Sequence, residues 1–154
     1  MADDLTFLMG KFPARLPGEL RYARNHMWAR PGERGAWRFG FTAYAVRLMQ
    51  DVYFLAWQVS AGDRVALLQE IGHIETSKAE TDLFAPLAGT LTTFNTALLD
   101  DPSAINVDGY GAGWLFEMDP RDPSPLMGVD TYHQFLADNW EKTQRHIKGK
   151  INEE

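Results

Sequence analysis

From Glu19 to Met118 the chain is cut by Gly, Pro and Asp into short runs rich in β-branched and aromatic residues. Punctuation this frequent favours strands joined by turns, and therefore a sandwich or flattened barrel over an α/β sheet. Strands are expected over Met27–Arg30, Ala36–Thr42, Val52–Trp57, Val65–Glu70, His73–Thr76, Asp82–Phe84, Gly89–Phe94 and Trp114–Met118. Ala43–Leu48 and Asn95–Leu99 contain Ala and Leu and read as one or two helical turns each. The expected fold class is all-β with short peripheral helices.

The period changes near the C-terminus. Tyr132, Phe135, Leu136, Trp140, Thr143 and Ile147 recur at three- and four-residue steps, which predicts an amphipathic helix over about 130–148 with Asp130 as its cap. Its apolar stripe is expected to dock on the β body. Lys142, Arg145, Lys148 and Lys150 lie toward the end where the helix dipole favours cations. Pro120, Pro123 and Pro125 make residues 119–128 a stiff connector between a body at about 20–118 and this helix. With 154 residues and 45% hydrophobic content, one domain over 1–154 is expected.

Charge and composition exclude several functions. A net charge of −6 with scattered basic residues argues against binding nucleic acid or an anionic membrane. No apolar stretch approaches a membrane span, and the acidic start, Met1 to Asp4, is unlike a basic signal peptide, so a cytoplasmic location is expected. The absence of cysteine removes disulfides, Cys-ligated zinc and a protein thiol nucleophile. Thiol chemistry would have to belong to an attached group.

The most informative window runs from Gly72 to Gly89. It sets Lys78 between the small residues Ser77 and Ala79, where two strand-like arms meet. Alternation sends Ile74, Leu83 and Phe84 toward packing surfaces, so the lysine is expected at the tip of a hairpin, open to a modifying enzyme. Taken by itself, the window reads as an ordinary exposed lysine on a turn.

Its neighbours make it more specific. Glu75, Lys78, Ala79, Asp82, Leu83, Ala85, Pro86 and Gly89 match the attachment hairpin of lipoyl proteins, whose form is Glu-Ser-Val-Lys-Ala followed by Asp-Leu-Tyr-Ala-Pro and Gly. Biotinyl hairpins flank their lysine with methionine, and this chain does not. Asp101-Pro102, Ile105-Asn106 and Tyr110-Gly111-Ala112-Gly113-Trp114 resemble further segments of glycine cleavage system H proteins. Arg21-Tyr22, His26, Trp28, Gly40, Thr42, Tyr44, Ala45, Asp51-Val52 and Gly62-Asp63 extend the resemblance over Leu20 to Met118.

The resemblance implies an H-protein-like lipoyl barrel-sandwich hybrid of two antiparallel sheets. It also implies lipoic acid covalently attached to Lys78, with Glu75, Ser77 and Ala79 as flanking recognition residues. Such a protein is a non-catalytic carrier, a swinging arm between partner enzymes: a lipoate-attaching enzyme, the enzymes that load and unload it, and a dihydrolipoamide dehydrogenase.

Departures from the family pattern bear on the cargo. Met27 stands where familiar H proteins have Glu, Ala43 where an acidic residue is frequent, and Trp57-Gln58 where Leu-Pro is usual. A carboxylate suits an aminomethyl ammonium, so its loss favours a sulfur-intermediate carrier resembling lipoate-binding proteins of heterodisulfide-reductase-like sulfur oxidation. The alternative is an H protein of the glycine cleavage system that carries the aminomethyl group. A further alternative is an unmodified binding module that kept the fold and lost the arm.

Other chemistry-bearing residues read as structural. His26, His73, His133 and His146 lack metal-site spacing, although His73 lies on the strand leading to Lys78 and could position an arm or a partner. Gly109–Gly113 lacks the Lys-Ser/Thr of a phosphate loop and reads as a sharp turn. Asp100-Asp101 and Asp119 run into prolines and read as turns, while Trp28, Trp37, Trp57 and Trp114 read as packing residues on strands. No catalytic nucleophile-base set and no metal site are expected.

Overall fold

The computed structural model describes residues 2–153, except the side chains of Glu33 and of residues 146–153. The chain opens with β1 (Leu5–Met9), β2 (Phe12–Leu16), β3 (Arg21–Tyr22), β4 (Met27–Pro31) and β5 (Trp37–Phe41). Helix α1 (Ala43–Met49) leads into β6 (Val52–Trp57), β7 (Arg64–Val65), β8 (Glu70–Thr76), β9 (Glu80–Phe84) and β10 (Gly89–Phe94). Two short helices, α2 (Ala97–Asp100) and α3 (Ala104–Val107), precede β11 (Phe116–Pro120) and the long helix α4 (Val129–Glu153).

Two sheets form the body. One has six strands in the order β3-β4-β5-β11-β10-β7, and the other has three in the order β6-β8-β9. Neighbouring strands pair antiparallel. Phe39, Phe116 and Met118 from the first sheet meet Ile71, Ile74 and Leu83 from the second in one buried cluster. This is the expected all-β, H-protein-like architecture of two antiparallel sheets with short helices at the margins.

A second apolar cluster lies outside that sandwich. There β1–β2, a two-stranded sheet of its own, packs with α1 and α4 through Phe7, Leu16, Tyr22, Trp28, Tyr44 and Tyr132. The C-terminal stripe docks as its period requires: Tyr132 and Leu136 are buried, and Phe135 and Trp140 pack beside them. Full burial of a side chain such as Leu136 contributes roughly 1.5–3 kcal/mol. Three polar contacts hold this seam in register: the Tyr132 hydroxyl lies 2.9 Å from His26 Nδ1 and 3.1 Å from Thr42 Oγ1, and the Tyr22 hydroxyl donates to the Pro17 carbonyl at 2.6 Å. Burial lowers the His26 pKa to about 4 and raises those of the two tyrosines.

Several expectations need correction. Val65–Glu70 is not one strand: β7 ends at Val65 and β8 begins at Glu70. Between them the Gln69 N–H donates to the Ala66 carbonyl, the Gln69 side chain accepts from the Ala66 N–H, and Leu68 takes φ +61°. A local turn therefore overrides the apolar composition. Trp114 precedes β11 and lies under the Arg38 guanidinium at 4.0 Å, a cation–π contact and not a ladder position. Asp130 does not cap α4, which starts at Val129 and takes Asp130 into its first turn. The helix also runs past 148, and the side chains of His146, Ile147, Lys148 and Lys150 lie outside the described residues. The proline-bearing connector is partly ordered on the sheet, since β11 extends to Pro120 and Met127 bridges to Tyr22.

Candidate functional site

The β8–β9 hairpin carries the site. Thr76 ends β8 and Glu80 starts β9, so Ser77, Lys78 and Ala79 form the connection, all three exposed. Small residues suit this turn because one buried hydroxyl organises it. Thr76 Oγ1 accepts from the N–H groups of Lys78 and Ala79, both at 3.2 Å, and donates to the Ala79 carbonyl at 3.1 Å. The Thr76 N–H donates to the same carbonyl at 2.9 Å, and the Ser77 N–H reaches across to the Asp51 carbonyl at 2.9 Å. The turn is thus fixed from inside and tied to the neighbouring strand, while Lys78 projects outward. Among the described residues, Lys78 takes part in no ion pair. A fixed turn with an exposed, small-flanked amine fits attachment of an acyl group as an amide.

Below the tip the hairpin is acidic. Register sets Glu75 opposite Glu80 and His73 opposite Asp82. The His73 ring lies 3.5 Å from both Glu75 and Asp82. His73, Glu75 and Glu80 bring potential ligand atoms within 4.8 Å of one another. That grouping arises from cross-strand pairing, which the spacing of histidines along the chain does not display. These side chains are half-buried or exposed, so they form a solvated charged flank of the hairpin.

The residues held to bear on cargo occupy different settings. Met27 is 1% exposed, paired with Phe41 inside the sandwich. It is a core residue, not a neutral substitute lining an open surface. Ala43 does line an open cleft of about 330 Å³, together with Asp51, the residue whose carbonyl holds Ser77. Glu75, Glu80 and Asp82 place carboxylates on the hairpin below the turn. Sequence reasoning passed over Thr76, although a threonine two residues before an exposed lysine is a turn-bracing signal.

The other singled-out residues are structural. Gly109–Gly113 is a turn, in which the Asp108 carboxylate accepts from the Ala112 N–H and the Asp108 carbonyl from the Gly111 and Gly113 N–H groups. Asp101 accepts from the Ser103 N–H, and hydrogen bonding to Ser103 lowers its pKa. Trp28 is fully buried and donates from Nε1 to the Gly109 carbonyl at 2.8 Å. No helix among the described residues is long and apolar enough to cross a membrane.

A two-sheet body that presents a lysine on an internally braced hairpin places the chain in the H-protein-like fold class. Residues 20–139 match the family model described as Glycine cleavage H-protein. The glycine cleavage system H protein of Psychrobacter cryohalolentis is 38% identical over 126 residues, covering 80% of this chain and 99% of that protein. The counterpart from Halorhodospira halophila is 34% identical over 128 residues, covering 81% and 98%. A crystal structure of a glycine cleavage system H protein from Mycobacterium marinum aligns with a TM-score of 0.67 at 33% identity, over 80% of this chain and 98% of that one. The chain belongs to the glycine cleavage H-protein family. These likenesses back the glycine-cleavage alternative better than the sulfur-oxidation role favoured by Met27 and Ala43. Met27 lies in the core, so an open position stripped of its carboxylate is not found there, whereas Ala43 does line the cleft.

Proposed function

We propose that this protein is the lipoyl carrier of a glycine cleavage system, with lipoate joined to Lys78 and the aminomethyl group as cargo. The observation that carries the reading is the Thr76-braced turn, which holds an exposed amine between two small residues on an H-protein fold. Attachment joins Lys78 Nζ to the acyl carbon of an activated lipoyl group, releasing the activating group and a proton. Loss of the lysine's charge lowers the formal net charge of −6 by one. Bound lipoate supplies a dithiolane that takes up cargo through sulfur and cycles between oxidised and reduced states.

The chain's own residues position and present. Glu75, Ser77 and Ala79 flank the lysine for the lipoate-attaching enzyme, with the small pair leaving room for its active site. The carboxylates of Glu75, Glu80 and Asp82 suit an ammonium-bearing cargo. Tethering makes the arm a local reactant at each docked active site, namely those of the decarboxylating enzyme, the aminomethyl-transferring enzyme and dihydrolipoamide dehydrogenase. The protein contributes no catalytic residue to these steps.

The test supplies lipoylated protein to the other glycine cleavage enzymes alongside an ordinary H protein and measures glycine turnover. Comparable rates are expected. Absence of turnover despite full lipoylation would overturn the assigned cargo.

A further inference from the structure

The geometry points to a divalent-cation site of the zinc class on the outer face of the β8–β9 hairpin, with His73, Glu75 and Glu80 as ligands and Asp82 as the residue that orients the histidine. Strand pairing builds it. Alternation puts His73 and Glu75 on one face of β8, and the register sets Asp82 and Glu80 opposite them on β9, so four ligand-type side chains make a square on two antiparallel strands.

The spacing suits a small cation. Ligand atoms of His73, Glu75 and Glu80 lie within 4.8 Å of one another. His73 Nε2 and Glu75 Oε1 are 3.5 Å apart, about the edge of a tetrahedron whose bonds to zinc are ~2.1 Å long. Glu80 is exposed, so side-chain rotation alone can bring its carboxylate onto the same centre. One imidazole and two carboxylates, with water at the open position, are a donor set for zinc and its neighbours; magnesium and calcium take oxygen ligands.

The two ring nitrogens of His73 have different partners. Nδ1 faces Asp82 Oδ1 at 3.5 Å, which favours the proton on Nδ1 and leaves the Nε2 lone pair facing Glu75. A lone pair and a carboxylate so placed repel unless a cation or a proton stands between them. A carboxylate behind the imidazole is also how a metal-ligating histidine is held in one tautomer and one orientation. Phe54, opposite Glu75 on β6, flanks the site with its ring 6.4 Å from the imidazole. Among the described residues no lysine or arginine pairs with Glu75, Glu80 or Asp82, so three negative charges converge without a counter-cation. Glu75 and Asp82 match the lipoyl hairpin pattern, whereas His73 and Glu80 are additions to it. A cation held here clasps β8 to β9 below the turn without using Lys78, so the site stands apart from the carrier reading.

Zinc titration of the full-length, tag-free chain in chelator-treated buffer near neutral pH tests the site, read by calorimetry and by competition with a chromophoric chelator. One equivalent of zinc should bind, and magnesium at the same concentration should not. His73→Gln should abolish binding, Glu80→Gln should weaken it at least about tenfold, and Asp82→Asn should weaken it about tenfold by freeing the ring. His133→Gln should leave it unchanged. Long-range proton–nitrogen NMR of the parent should show zinc moving the Nε2 resonance of His73 but not that of His133, which locates the metal even if a variant does not fold. Absence of zinc binding, or an equivalent that survives both His73→Gln and Glu80→Gln, would overturn the site and leave His73 as a protonated bridge between carboxylates.

Discussion

Two hairpins in this molecule raise a lysine at their turn, and they are built differently. In β1–β2 the register pairs Met9 with Phe12, so Gly10 and Lys11 make a two-residue turn with Gly10 at φ +64°. Lys11 is exposed, but its neighbour Phe12 is an aromatic residue under the Arg47 guanidinium. In β8–β9 the turn has three residues, both flanks of Lys78 are small, and the buried Thr76 hydroxyl bonds the backbone on both sides of the tip. Exposure of an amine is common to both hairpins. What separates them is an unobstructed approach and a backbone that presents the amine in one geometry.

Predictions follow from that contrast in decreasing order of effect. Lys78→Arg should remove glycine turnover entirely, because the guanidinium keeps the charge but is not acylated. Its thermal unfolding should match the parent's to within about 0.5 kcal/mol, as expected of a substitution on an exposed turn. Cooperative unfolding lost in this variant would show that Lys78 has a structural role instead.

Acid should act on the seam under β1–β2 before it acts on the Lys78 turn. The His26 pKa lies at about 4 in the folded chain, below the ordinary 6.5, so the unfolded state binds the proton more readily. Stability from this group is complete above about pH 6.5 and is lost as pH falls toward 4, by up to about 3 kcal/mol. Denaturant unfolding of the parent and of His26→Asn, which tolerates the positive φ, should show a flatter acid limb in the variant. Equal slopes would contradict the assignment to His26.

Thr76→Val retains shape but removes the bracing hydroxyl. It should cost about 1–3 kcal/mol, because the Lys78 and Ala79 N–H groups lose a partner. Lipoylation should also slow severalfold, measured by intact mass over time. An unchanged rate would mean that the attaching enzyme reads side chains alone. At the low end, Lys11→Arg should alter neither lipoylation nor turnover.

The sequence reveals the Lys78 turn more fully than it reveals its surroundings. Strands such as Val52–Trp57 and Gly89–Phe94 are legible because β-branched and aromatic residues lie between turn residues, and Lys78 stands out through its small flanks. The β1–β2 hairpin escapes the same reading because Pro13 interrupts the second run. In the structure Pro13 is exposed opposite Leu8 in a two-stranded sheet, where proline's missing N–H is tolerated at an edge. The run Ala66–Gln69 misleads in the opposite sense: Leu67 and Leu68 suggest a strand, yet both are exposed on a turn. At Met27 the residue type shows a lost carboxylate, whereas only packing shows that the position is core. The His73–Glu75–Glu80 grouping depends on strand register, which a linear reading does not supply.

Peptide mass mapping after exhaustive enzymatic lipoylation tests the central claim most directly, because it sets the two hairpin lysines against each other in one protein. The lipoyl mass should appear on the peptide containing Lys78 and be absent from the peptide containing Lys11. Modification of Lys11, or a chain in which neither lysine gains the mass, would contradict the account.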